Sequence, residues 1–379
     1  MREHASTVFG EMSALAAATG SVNLGQGFPD TDGPDLVRDA AIRAIREGRG
    51  NQYPPVHGVP ELRAAIAEHQ RRFYGLELDP ATDVCVATGA SEAIAAALLA
   101  LVDVGDEVVM FAPWFDLYAA AVSLAGGRRV EVALTAGTFR PDAESLRTAI
   151  GPQTRVLLLN SPHNPTGSVF TREELTTIAA VVREHDLWVI SDEAYEHLVF
   201  TGSEHIPFAT IPGMAERTVT IGSAGKSLSM TGWKVGWATG PTELVASVRV
   251  TRQHLSFVSS GPFQWAVAEG LALPDSYWES FRDGLEHQRD LLCDGLAALG
   301  FPTTVPQGTY FATTDVRPLG YDDGWAFCRD LPHRAGVVAI PHQVFHDDPD
   351  AGKPFVRWAF CKRPEVLDEA LSRLRRAFG

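Results

Sequence analysis

Between Val84 and Gly240, short runs rich in valine and leucine alternate with segments of helical composition. Strand-like runs fall at 84–88, 107–111, 129–134, 155–160, 187–191, 218–222 and 235–239. They show little polar alternation, the pattern of strands covered on both faces. Helical stretches such as 91–102 and 172–185 lie between them. Parallel strands need long crossover connections, which such helices supply. The pattern therefore predicts an α/β fold with a mostly parallel seven-stranded sheet and helices on both faces.

The two ends read differently. A helix is expected over 7–19, followed by the loop Gly25-Gln26-Gly27-Phe28-Pro29. After the turn signal Pro274-Asp275-Ser276 come a long charged helix (277–299), short strands near 310–315 and 355–360, and a last helix over 364–378. We expect residues 35–274 to form a large domain. Residues 1–34 with 275–379 then form a smaller α+β domain packed against it.

Composition narrows the function. The 379 residues carry 32 basic and 47 acidic side chains, a net charge of −15, which argues against a nucleic-acid surface. A local basic site for an anionic ligand remains compatible with that balance. Cys85, Cys293, Cys328 and Cys361 show neither a CxxC pair nor metal spacing, so buried reduced thiols are expected. No apolar run has signal-peptide length or approaches the roughly 18 residues of a membrane span. A cytoplasmic protein is expected.

Four segments carry candidate chemistry. In Leu187-Trp188-Val189-Ile190-Ser191-Asp192-Glu193-Ala194-Tyr195 a buried strand ends on Asp192, where open α/β sheets place ligands. Asp192 could equally cap a following helix. In Ile221-Gly222-Ser223-Ala224-Gly225-Lys226, a lysine sits among small residues beyond an apolar strand, with Lys234 nearby. A desolvated lysine near another cation becomes an amine nucleophile. A solvated loop lysine or an anion loop are the plainer readings, although GxxxxGK[ST] spacing is absent. Asn160-Ser161-Pro162-His163-Asn164-Pro165-Thr166-Gly167 is a double-proline turn that would hold the Asn164 amide at the sheet edge, or simply turn the chain. Ala87-Thr88-Gly89-Ala90-Ser91 opens an alanine-rich helix, whose free N–H groups suit a phosphate, unless Ser91 is only a cap.

In this order the four segments resemble the class I and II aminotransferases of the fold type I pyridoxal-phosphate family. Ser223…Lys226 matches the SxxK signature and Asn164-Pro165-Thr166-Gly167 the NPTG turn, while Asp192 is followed by Tyr195. Asn23-Leu24-Gly25-Gln26-Gly27-Phe28-Pro29-Asp30, Asn51-Gln52-Tyr53, Pro113-Trp114-Phe115-Asp116 and Phe355-Val356-Arg357 extend the match from about Val8 to the C-terminus. The kynurenine and methionine aminotransferase branch is the most similar, and within it the actinobacterial N-succinyldiaminopimelate aminotransferases. Gly320-Tyr321-Asp322-Asp323 and Ala339-Ile340-Pro341 add to that likeness.

The resemblance implies a role for each matching residue. Lys226 carries pyridoxal phosphate as a Schiff base and later moves the substrate proton, Asp192 pairs with the pyridine nitrogen, and Asn164 and Tyr195 bond the ring oxygen. The backbone at Ala90 and Ser91, with Ser223 and Lys234, holds the phosphate, and Phe115 stacks on the ring, where a core aromatic is the plain alternative. Arg357 clamps the substrate α-carboxylate beside Gly27; otherwise it is a strand-end arginine. Tyr53 and Phe257 reach the partner subunit's site, so a homodimer is implied.

Ser91, Val258 and Phe9 depart from residues often aromatic, histidine and tryptophan in kynurenine aminotransferases, which argues against a dedicated kynurenine enzyme. Transamination between glutamate/2-oxoglutarate and N-succinyl-LL-2,6-diaminopimelate is the expected reaction. Alternatives are a kynurenine, glutamine or methionine aminotransferase and a cysteine-S-conjugate β-lyase. A ligand-sensing regulator would need a DNA-binding module, and the resemblance takes up nearly the whole chain.

Overall fold

The computed structural model describes residues 8–259 and 261–379. Its strands are β1 (Val22–Asn23), β2 (Val84–Ala87), β3 (Glu107–Ala112), β4 (Arg128–Ala133), β5 (Thr154–Asn160), β6 (Trp188–Asp192), β7 (Thr218–Ser223), β8 (Gly236–Thr239), β9 (Thr303–Thr304), β10 (Phe311–Asp315), β11 (Val337–Val338), β12 (Ile340–Pro341) and β13 (Phe355–Ala359). Seven of them form the main sheet in the order β2-β8-β7-β6-β5-β3-β4. The pairs among β7, β6, β5, β3 and β4 are parallel, and β8 runs antiparallel between β2 and β7.

Period-two alternation explains why these strands read as continuous apolar runs. Val108, Met110, Val156 and Leu158 pack on one face against Ile94 and Leu98 of the helix Gly89–Leu101 and Val122 of the helix Asp116–Ala125. Their neighbours Val109, Phe111, Leu157 and Leu159 pack on the other, against Leu146 of Ala143–Ala149 and Ile178 and Val182 of Arg172–Glu184. The last of these helices starts in a capping box between Thr171 and Glu174. Crossover helices on both faces are as expected.

A four-stranded sheet, β12-β13-β10-β9, and the β1–β11 pair lie outside the main sheet. Their core is shared with the helices Val8–Thr19, Asp275–Ala298, Gly324–Ala335 and Pro364–Phe378, through side chains such as Met12, Leu292, Phe327, Trp358 and Leu371. Boundaries shift slightly from expectation. The helix after Pro274 begins at Asp275 because Pro274 is its N-cap, and β8 begins at Gly236 because Lys234 adopts φ 54°. Of the expected helix over 7–19, Thr7 lies outside the described residues. The four cysteines are free and buried. No helix among the described residues is long and apolar enough to cross a membrane.

Candidate active site

Register brings the site together. β5 and β6 pair Asn160 with Asp192, and β6 and β7 pair Asp192 with Ile221, so three parallel strands end side by side. Asn160, which carried no expectation of its own, ties the edge together. Its Nδ2 donates to the Asp192 carbonyl (2.8 Å) and the Pro162 carbonyl (3.1 Å), and its Oδ1 accepts from the Asn164 backbone N–H (2.8 Å). Asn164 is thereby pinned beside Asp192.

Asp192 is buried and caps no helix. Its Oδ1 accepts from the Ala194 N–H (3.1 Å) and its Oδ2 from the Tyr118 hydroxyl (2.6 Å). Burial raises its pKa, and the Tyr118 hydrogen bond opposes that shift. Tyr118 was missed from sequence, being one more apolar-face aromatic of the helix that follows Phe115.

Lys226 lies in the single helical turn Ala224–Ser227 directly after β7. Its Nζ donates to the Tyr310 hydroxyl (3.0 Å), which donates to the Gly27 carbonyl (2.6 Å). The same Nζ stands 5.6 Å from the ring centres of Tyr195 and Tyr310. Burial pushes the ammonium down to about 8; Cys361 and Asp192 oppose the shift, and Lys234 and Arg357 add to it. Burial also raises the Tyr195 hydroxyl pKa. Tyr310 gave no sequence signal, because its contact comes from a strand start more than eighty residues away in the chain.

Arg357, central in β13, is 1% exposed. Nη1 donates to Asn164 Oδ1 (3.1 Å) and Nη2 to the Gly25 carbonyl (2.9 Å), while the guanidinium lies 4.0 Å from the Phe311 ring centre and 5.1 Å from that of Phe9. Its Nε is buried with no partner among the described residues. Burial lowers its pKa to about 10, against Tyr195 and Asp116. The guanidinium remains a cation at neutral pH, with donors to spare for a carboxylate.

These groups face one cavity of about 390 Å³, lined by Asn164, Asp192, Tyr195, Lys226 and Arg357. Ala90, Ser91, Ser223 and Lys234 border it as well, and Phe9, Gly27 and Phe115 complete its wall. Ser91 is not the helix cap; Thr88 holds that position. Gly89, at φ 76°, opens the helix, and a Cβ there would come 3.1 Å from Lys234 Nζ. Glycine thus leaves a space between a cation and a helix N-terminus that suits a phosphate. Tyr53 and Phe257 do not line the cavity; they pack edge to face at 5.2 Å, with Tyr53 80% exposed. Val258 does not line it either.

The donor set fits pyridoxal phosphate. A buried carboxylate with raised pKa awaits a cationic ring nitrogen, an amine of lowered pKa stands near it, and the Gly89 space lies beside Lys234.

Comparison with known proteins agrees. Residues 19–374 match the family model "Aminotransferase class I and II". The structure of N-succinyldiaminopimelate aminotransferase from Mycobacterium tuberculosis is similar, with a TM-score of 0.97, 50% identity and coverage of 99% of this chain and 98% of that one. Methionine aminotransferase of Escherichia coli is 38% identical over 97% of this chain and 95% of its own length. Human kynurenine–oxoglutarate transaminase 1 is 36% identical over 97% and 94%. With the fold, the cavity and the matched length in agreement, the chain belongs to the class I and II aminotransferases, enzymes of fold type I that depend on pyridoxal phosphate.

Proposed function

We propose that the enzyme exchanges the amino group of glutamate with the oxo group of an N-succinylated precursor of LL-2,6-diaminopimelate, yielding 2-oxoglutarate. One observation carries the reaction: Lys226, Asp192 and Arg357, distant in the chain, line one cavity. The substrate rests on likeness to the mycobacterial N-succinyldiaminopimelate aminotransferase at 50% identity.

Bound pyridoxal phosphate supplies an electron sink for the pair left when the substrate Cα–H bond breaks. Asp192 would keep the ring nitrogen protonated, and Asn164 and Tyr195 would hydrogen-bond the ring oxygen. Phe115 would cover the ring face, while the backbone at Ala90 and Ser91, with Ser223 and Lys234, would hold the phosphate. Lys226 Nζ would hold the cofactor and, once free, take the proton from substrate Cα as a neutral amine. Its pKa of about 8 supports that role, because the neutral form is well populated at mildly basic pH. Arg357 would fix the α-carboxylate, with Gly27 beside it. Ser91 and Phe9, on the cavity wall, would face the substrate side chain.

The exposed Tyr53–Phe257 pair supports a homodimer in which each subunit completes its partner's site. We also assign residues 35–274 to a cofactor-holding domain and 1–34 with 275–379 to a smaller one. The confinement of the main sheet to Val84–Thr239 supports this division.

The test is glutamate formation from 2-oxoglutarate with N-succinyl-LL-2,6-diaminopimelate, methionine and kynurenine as donors. The succinylated donor should give the highest kcat/KM. A higher value for another donor overturns the substrate, and no transfer from any donor overturns the reaction. Pyruvate release from a cysteine S-conjugate without an oxo acid would instead identify a β-lyase. Lys226→Ala should abolish the absorbance band of the lysine-bound cofactor; an unchanged spectrum removes Lys226 from that role.

A further inference from the structure

We propose that His69, Glu196 and His197 form a binding site for one zinc ion, outside the cofactor cavity and behind the turn that carries Tyr195. His69 comes from the helix Pro60–Tyr74, and Glu196 and His197 from the turn after β6. Their ligand atoms lie within 4.8 Å of one another, and the two imidazoles meet Nε2 to Nε2 at 2.7 Å. A tetrahedral ion with Zn–N of roughly 2.0–2.1 Å would hold two nitrogens roughly 3.3 Å apart. The rings need part by only a fraction of an ångström, and the Glu196 carboxylate would close on the ion from within 4.8 Å.

The cluster is closely packed, and the Glu196 carboxylate also accepts from the Tyr74 hydroxyl. His69 is 1% and Glu196 6% exposed. Two neutral imidazoles facing through Nε2 share a single hydrogen, so one nitrogen must act as acceptor. His205, the nearby histidine, is engaged by Glu193 at 3.0 Å.

The surroundings suit a metal. Gln70 Nε2 donates to Glu196 Oε2 at 3.2 Å, and the His197 ring is stacked on Trp278 at 4.1 Å, which fixes the orientation of two ligands. An adjoining cavity of about 450 Å³ reaches Glu196 and His197. Its wall carries Glu204 and Glu279 against Arg172 and Arg282, with Asp275 paired to Arg72, and it has room for a water as fourth ligand. An ion here would tie the helix Pro60–Tyr74 to the turn that holds Tyr195.

The test is equilibrium dialysis of chelator-washed holoenzyme against Zn²⁺, with bound metal counted by elemental analysis. Wild type should retain one ion per chain, and both His197→Gln and His69→Gln should lose it. Zinc should raise the melting temperature of wild type and leave that of His197→Gln unmoved. His69 is deeply buried, so if its variant does not fold, the half-buried His197 decides, with an unaltered cofactor absorbance showing that the variant is intact. Equal zinc uptake by wild type and His197→Gln, or none by wild type, overturns the site. The cluster is then a histidine pair packed among aromatic rings.

Discussion

Arg357 spends two of its donors on Asn164 and Gly25 and keeps Nε free, with its flat face on Phe311. Lysine could supply the charge but neither the fork nor the stacking. Arg357→Lys should raise KM for both amino and oxo acid by about 10- to 100-fold, the worth of one charge-assisted hydrogen bond, with a smaller effect on kcat. Steady-state kinetics checks this, and an unchanged KM would remove the clamp. At Lys226 the relevant variable is pH. Its pKa of about 8, against 10.5 for an ordinary lysine, gives roughly a hundredfold more neutral amine at pH 8. The rate at which cofactor-free protein captures pyridoxal phosphate should therefore rise with pH to a plateau, with its midpoint near 8. Tyr310 accepts from Lys226, and an ammonium donates more strongly than an amine, so this contact favours the charged form. Tyr310→Phe should move the midpoint lower, by about half to one pH unit. A midpoint that stays or rises would separate Tyr310 from the base.

At the scale of elements, the helix Gly89–Leu101 is anchored by an ion pair that touches no part of the cavity. Arg252 Nε donates to Glu92 at 3.3 Å, and Nη1 donates to the Phe257 carbonyl at 2.9 Å, with Arg252 1% exposed. Glu92→Ala would leave that guanidinium buried without its carboxylate and should cost about 3 kcal/mol in denaturant unfolding. A cost below about 1 kcal/mol would mean that the backbone carbonyls suffice. The strands of the main sheet were legible because burial on both faces writes itself as continuous Val and Leu, as in Val108–Phe111 and Val156–Leu159. The antiparallel direction of β8 and the two-residue strands were not, since pairing partners decide them. The same split holds in the cavity. Lys226, Asp192 and Asn164 sit in motifs at strand ends, whereas Tyr118, Asn160, Tyr310 and Phe311 act through contacts set by tertiary packing.

At the scale of the whole molecule, the Tyr53–Phe257 pair asks for an explanation from outside one chain. Phe257 holds φ 67°, costly for a bulky side chain, and its carbonyl is gripped by Arg252, so the segment is fixed while its ring stays 44% exposed. A large ring held rigidly in the open is better explained by a partner surface than by its own core. If Tyr53 serves the neighbouring subunit's cavity, two differently broken subunits can repair each other. On the proposed roles, Lys226→Ala would lack the base but retain Tyr53, and Tyr53→Ala would have the reverse defect. In a hybrid dimer one site then carries both lesions and the other none. Random re-association makes half the dimers hybrids, so an equal mixture should recover roughly a quarter of wild-type activity while each variant alone stays low. Dilution below the dimer dissociation constant should remove the recovered activity. A mixture no more active than the mean of its two components would confine Tyr53 to its own subunit.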